Sequence, residues 1–170
     1  ALEGEWPGRI VVNLGMCYGE PAIAGALHEL LQRGARRLLV LPLYPQYAGS
    51  TVGAAFDAVS ATLGRWRWFP EPRLVTHYHD HPAYIEALAE RIEQYWASAG
   101  QARPDCLVFS YHGIPKRYLS GGDPYHCQCH ATSRLLAERL GLANADSKGT
   151  FQCRFCRSEW LRPHAHGVFA

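Results

Sequence analysis

Short apolar runs alternate along the chain with longer stretches in which apolar residues recur every three or four positions. Residues 9–14 (RIVVNL), 36–42 (RRLLVLP), 73–78 (RLVTHY), 106–109 (CLVF) and 150–155 (TFQCRF) read as strands. Two of them, 36–42 and 106–109, are apolar without alternation, as strands buried on both faces should be. Between them lie helical faces: Ile23, Ala26, Leu27, Leu30 and Leu31; then Val52, Phe56, Val59 and Leu63; then Tyr84, Ile85, Leu88, Ile92 and Tyr95; then Leu135, Leu136 and Leu140. Pro21 and Pro82 suit first helical positions, Gly34 and Gly141 suit helix stops, and Ser50 or Thr51 suits a helix cap. This order predicts an α/β fold: Rossmann-like, mostly parallel sheets with helices on both faces. There is no GxGxxG and no GxxxxGK[ST], so no nucleotide is indicated.

Composition narrows the class. At 170 residues, 48% hydrophobic and 19% charged, the chain has material for a real core. A net charge of +2 and the lack of a basic run point away from nucleic acid. No apolar run approaches the roughly 18 residues of a membrane span. No secretory signal is visible and the first residue is Ala1, which suggests a fragment or a processed chain. With no secretory context, reduced thiols and a cytoplasmic location are expected. Ser98 to Pro104 is the best linker.

The stretch from Cys106 to Cys129 is the most chemical. Its strand ends near His112, with Gly113 and Pro115 turning the chain away. Ligands bind at the carboxyl ends of strands in such sheets, and an imidazole there can ligate a metal or accept a proton. The loop Leu43 to Thr51 follows another strand, and its two tyrosines, held by Pro42 and Pro45, suit a flat apolar ligand or ordinary packing. His77, His79 and His81 alternate beside Asp80; in a strand they share one side, and either packing or a metal site can explain them. Cys17 and Cys106 read as core or strand-end residues. Cys127-x-Cys129 and Cys153-x2-Cys156 form two close pairs, enough for zinc or an iron–sulfur cluster, with free thiols the default.

LPLYPQY at 41–47, SYHGIP at 110–115 and GGDPYHCQC at 121–129 resemble ferrochelatase, the bacterial protoporphyrin form most of all. GMCYGEPAI (15–23), YHDHPAYIEAL (78–88) and TFQCRFCRSEWLRP (150–163) extend the resemblance in order from about Arg9 to Pro163. The family implies a chelatase-like architecture of two Rossmann-like lobes. Residues 1–100 would be the back of the first lobe and 101–170 the front of the second, truncated at both ends. The expected reaction is insertion of ferrous iron into protoporphyrin IX to give protohaem, the last step of haem synthesis, with no cofactor required.

By resemblance, His112 corresponds to the active-site histidine that binds metal and takes pyrrole protons. Tyr44, Tyr47, Ser50 and Thr51 correspond to the cleft lip. Some ferrochelatases carry a two-iron two-sulfur cluster, for which Cys127, Cys129, Cys153 and Cys156 are the available thiols. Porphyrin and ferrous iron are the implied partners, with peripheral membrane contact open. The family's glutamate facing the histidine would lie beyond residue 170. Cys17, Cys156 and the tail after Pro163 depart from the family pattern. A poorly active fragment, a non-catalytic porphyrin- or metal-binding lobe, and a coproporphyrin-specific chelatase are the alternatives.

Overall fold

The computed structural model describes residues 2–98, 104–152 and 159–165. The chain forms two compact units, Ala1–Tyr44 with Gly49–Thr76, and Pro45–Ala48 with His77–Ala170. Each carries one parallel strand pair joined through a helix, the crossover that parallel pairing requires. The expected mostly parallel α/β fold is present. The units change at Thr76/His77, earlier than the 100/101 lobe boundary implied by resemblance. The reason is that the helix before that boundary packs into the second unit. Most of the Ser98–Pro104 linker lies outside the described residues.

In the first unit, the short turn α1 (Leu2–Glu5) precedes α2 (Ile23–Gln32), β1 (Arg37–Val40), α3 (Ala54–Leu63) and β2 (Glu71–Leu74). Arg37 pairs with Glu71 and Val40 with Leu74. Leu27 of α2, Leu38 of β1 and Val59 and Leu63 of α3 form the core. Full burial of each such side chain is worth roughly 1.5–3 kcal/mol. Helix α2 stops as expected: Gly34 has φ 84°, its N–H reaches the Leu31 carbonyl, and the Ala35 N–H reaches that of Leu30.

Four expectations fail here. Residues 9–14 form no strand. The Val12 N–H goes to Glu3 Oε1 at 2.7 Å and Leu14 N–H to Asn13 Oδ1, while Met16 makes one isolated bridge to Ala22. Among the described residues this segment pairs with no strand. Asn13 and Leu14 at its end instead line a cleft of about 440 Å³ together with Leu38–Leu43. Pro21 lies outside α2, whose N-cap is Ala22. Ser50 and Thr51 do not cap α3, because Gly49–Gly53 is a π-helical turn and Gly53 is the cap residue. The third strand is Glu71–Leu74 rather than 73–78, so His77 to His81 follow it as loop and turn.

The second unit contains α4 (Pro82–Ser98), β3 (Leu107–His112), α5 (Lys116–Ser120), α6 (Tyr125–Arg139) and β4 (Ser147–Gln152). Ile85 and Ala89 of α4 pack on Leu136 and Leu140 at the α6 end. Tyr95, expected on that face, is exposed, because the buried stripe runs 85, 89, 92 and 96. Of the two cysteines read as core or strand-end residues, Cys106 lies at the strand end, just before β3, and is exposed, and Cys17 is half-buried. Strand β4 begins at Ser147, earlier than expected, and pairs in parallel with β3 from Leu107 opposite Ser147 to His112 opposite Gln152. A returning segment straps this sheet: Leu161 N–H bonds the Ile114 carbonyl, and Phe151 N–H bonds that of Pro163. Phe151, Ile114, Cys129 and Leu161 fill the core beneath.

Candidate functional site

His112 is the last residue of β3, and its side chain is exposed at the carboxyl end of the strand. The ladder with β4 holds its backbone along one side. Gln152 stands opposite it, and Gly113 N–H donates to the Gln152 carbonyl at 2.8 Å. The next residue, Ile114, is buried and anchors the loop; Lys116 N–H then bonds the Glu159 carbonyl. Gln152 Nε2 also donates to Ser110 Oγ at 2.7 Å. The ladder fixes the backbone of His112 while the residue stays exposed at the strand end.

Helix α6 supports this strand end from beneath. Just ahead of the helix, whose N-cap is Pro124, Asp123 Oδ1 accepts the Tyr125 N–H at 3.0 Å. The Tyr125 phenol is bonded to the main chain of His112 and to the Cys129 thiol. Burial raises the proton affinity of Tyr125 and of Tyr111, whose hydroxyl meets Ser133 Oγ at 2.8 Å. Both phenols therefore stay neutral and act as hydrogen-bonding props. Burial also pushes the Cys129 thiol up to about 12.

The tyrosine–proline loop divides between the units. Tyr47 belongs to the second, is half-buried, and its N–H donates to Gln128 Oε1 of α6 at 2.7 Å. Beside it, buried Gln46 donates to Thr132 Oγ1. Tyr44, Ser50 and Thr51 belong to the first unit. Tyr44 stands on the rim of the apolar cleft, Ser50 is exposed and Thr51 half-buried.

Cys127 and Cys129 both sit in α6, one exposed and one buried. Residues two apart on a helix are turned about 200° from one another, so these thiols do not chelate one ion together. Cys153 and Cys156 lie outside the described residues.

The histidine triplet separates into two roles. His81 Nδ1 accepts the Ala83 N–H at 3.2 Å, at the start of α4. His77, His79 and Asp80 instead converge, each offering a ligand atom within 4.8 Å of the others. On α6, His126 and His130 place their Nε2 atoms 3.2 Å apart, and His126 stacks on Phe151.

Tyr125, Gln128 and Gln152 were not singled out from the sequence. Asp123 followed by Pro124 carries the signal for the first two. Read as a helix start, it puts Tyr125, Gln128, Cys129 and Thr132 on one face of α6. Gln152 has no such signal; only the strand register brings it beside His112.

The family profile for ferrochelatase matches residues 1–170. Ferrochelatase of Nitrosococcus oceani is 58% identical over 168 residues, covering 97% of this chain and 45% of that protein. Ferrochelatase of Idiomarina loihiensis is 54% identical over 163 residues, covering 96% of this chain and 44% of that protein. The chain thus spans about half the length of the curated relatives it matches. Among solved structures, SirB from Bacillus subtilis with Fe3+ superposes with a TM-score of 0.67 at 15% identity, covering 94% of this chain and 57% of that one. That likeness is one of fold. With the profile spanning its whole length, the chain belongs to the ferrochelatase family.

Proposed function

We propose that this chain supplies the histidine side of a chelatase site that inserts ferrous iron into protoporphyrin IX. The observation that carries the reading is the exposed His112 on the last rung of the β3–β4 ladder. Metallation of a porphyrin releases two pyrrole protons. A neutral imidazole can ligate the incoming ferrous ion or accept a proton, and a backbone tied to Gln152 and Tyr125 keeps it aimed. Tyr44, Tyr47, Ser50 and Thr51 are assigned to porphyrin contact. The iron is substrate, no resident cofactor is assigned, and the place of action is the cytoplasm.

The chain's half-length coverage of its relatives favours a second reading, in which these residues alone bind porphyrin or metal without turnover. One experiment separates the two. The chain is joined to the remaining sequence of the Nitrosococcus oceani relative, and zinc and ferrous insertion are followed by porphyrin absorption. The joined protein is expected to turn over, and His112→Ala to abolish insertion while porphyrin binding persists. The unjoined chain is expected to show little or no insertion. Full turnover by the His112→Ala protein would remove the assignment.

A further inference from the structure

The loop between β2 and α4 holds a cluster that the proposed chelatase site does not use. His77, His79 and Asp80 bring one ligand atom each to within 4.8 Å of one another. His79 is the central member. It is 8% exposed, its Nδ1 is buried, and no hydrogen-bond partner reaches that nitrogen among the described residues. The nearest charged atom is Asp80 Oδ1 at 3.9 Å, too far for a hydrogen bond. Burial lowers the proton affinity of His79, outweighing the opposing pull of Asp80, and the His77 ring adds to the lowering.

The backbone around the cluster is fixed. The His79 carbonyl accepts from Thr132 Oγ1 at 2.8 Å, Tyr78 N–H reaches the Pro45 carbonyl, and His81 N–H returns to Tyr78. His77 and Asp80 are exposed, so their side chains can turn toward the buried nitrogen.

From this geometry we infer that His77, His79 and Asp80 form a binding site for a divalent first-row transition cation, separate from His112. A cation about 2.1 Å from each ligand atom at tetrahedral angles holds them about 3.4 Å apart. Atoms as much as 4.8 Å apart must therefore close by up to about 1.4 Å, which rotation of two surface side chains supplies. Two imidazoles and a carboxylate are the donor set for Fe2+, Co2+ and Zn2+. Mg2+ and Ca2+ prefer all-oxygen shells, and Cu+ prefers sulfur. Three protein ligands on a solvent-facing loop leave coordination positions for water, so the ion exchanges with the bulk. The site thus holds the same class of ion that the proposed reaction consumes, but its existence does not depend on that reaction.

The test is Co2+ titration of the 170-residue chain carrying His112→Ala and His126→Gln, which removes two other imidazoles able to compete. Visible cobalt absorption reports the site. One equivalent is expected to bind without thiolate-to-cobalt charge transfer. His77→Ala and Asp80→Asn, both surface changes that spare the core, are each expected to weaken binding roughly tenfold or more, the scale set by loss of a single supporting contact. His81→Ala should leave binding unchanged. Absence of binding, equal binding in the His77 and Asp80 variants, or a thiolate band would each overturn the assignment.

Discussion

Gln46 and Thr132 meet side chain to side chain, Nε2 to Oγ1 at 2.9 Å, with both residues buried. The Thr132 hydroxyl in turn donates to the His79 carbonyl at 2.8 Å. One threonine on α6 therefore holds both the tyrosine–proline loop and the loop after β2. Thr132→Val keeps the shape and removes one partner each from the buried Gln46 amide and the His79 carbonyl. The expected cost is about 1–3 kcal/mol. It should appear as a lower urea midpoint at unchanged slope. An unmoved midpoint would mean the network contributes nothing to stability.

The thiols should divide by environment. Cys106 and Cys127 are exposed, whereas Cys129 is fully buried with its proton affinity raised to about 12. Thiolate is the reactive form. Brief iodoacetamide treatment of the native chain, read by peptide mass spectrometry, should label Cys106 and Cys127 and spare Cys129. Prompt native labelling of Cys129 would contradict its place beneath Phe151.

Acid should weaken the fold through His126. Burial first, and the neighbouring His130 second, lower its proton affinity below the usual 6.5, against an opposing bond to the Arg162 carbonyl. The unfolded chain then binds the proton more readily than the folded one. Stability from this group is present above pH 6.5 and is lost as pH falls through the lower folded value. His126→Gln should flatten the fall in unfolding free energy between about pH 7 and 5. A steeper fall in the variant would reverse the assigned sign.

Among the described residues one edge of β1 is unpaired, which should make the chain self-associate. Leu39 and Leu43 are 70% and 72% exposed beside that edge and the apolar cleft. Such edges template further pairing unless charge blocks them. Light scattering should show assembly that grows with concentration, and Leu39→Lys should reduce it. A monodisperse parent chain would refute this.

Where the sequence read correctly, local chemistry and tertiary packing agreed. Pro82 opens α4, Gly34 closes α2 and Gly141, at φ 61°, follows α6, because backbone limits at these residues act whatever surrounds them. Reading failed where a partner element decides the outcome. Residues 9–14 have the composition of a strand, but among the described residues they pair with none, and the Val12 N–H goes to Glu3 instead. Ser50 and Thr51 have cap chemistry, but a π-helical turn absorbs them. Tyr95 fits the helical spacing, yet Trp96 sits closer to the buried stripe. His112 was visible as a strand-end histidine, whereas its neighbour Gln152 arrives only through register. The Cys127-x-Cys129 spacing does not itself show that both thiols lie on α6 and point apart.

Both ladders join strands that run the same way with a helix between them, so no rung can form by a simple hairpin. Chain closure must come before any rung contributes, and such contacts form late. The backbone of His112, pinned by that ladder and by Tyr125 of α6, should therefore be among the last parts of the second unit to become ordered as the chain folds.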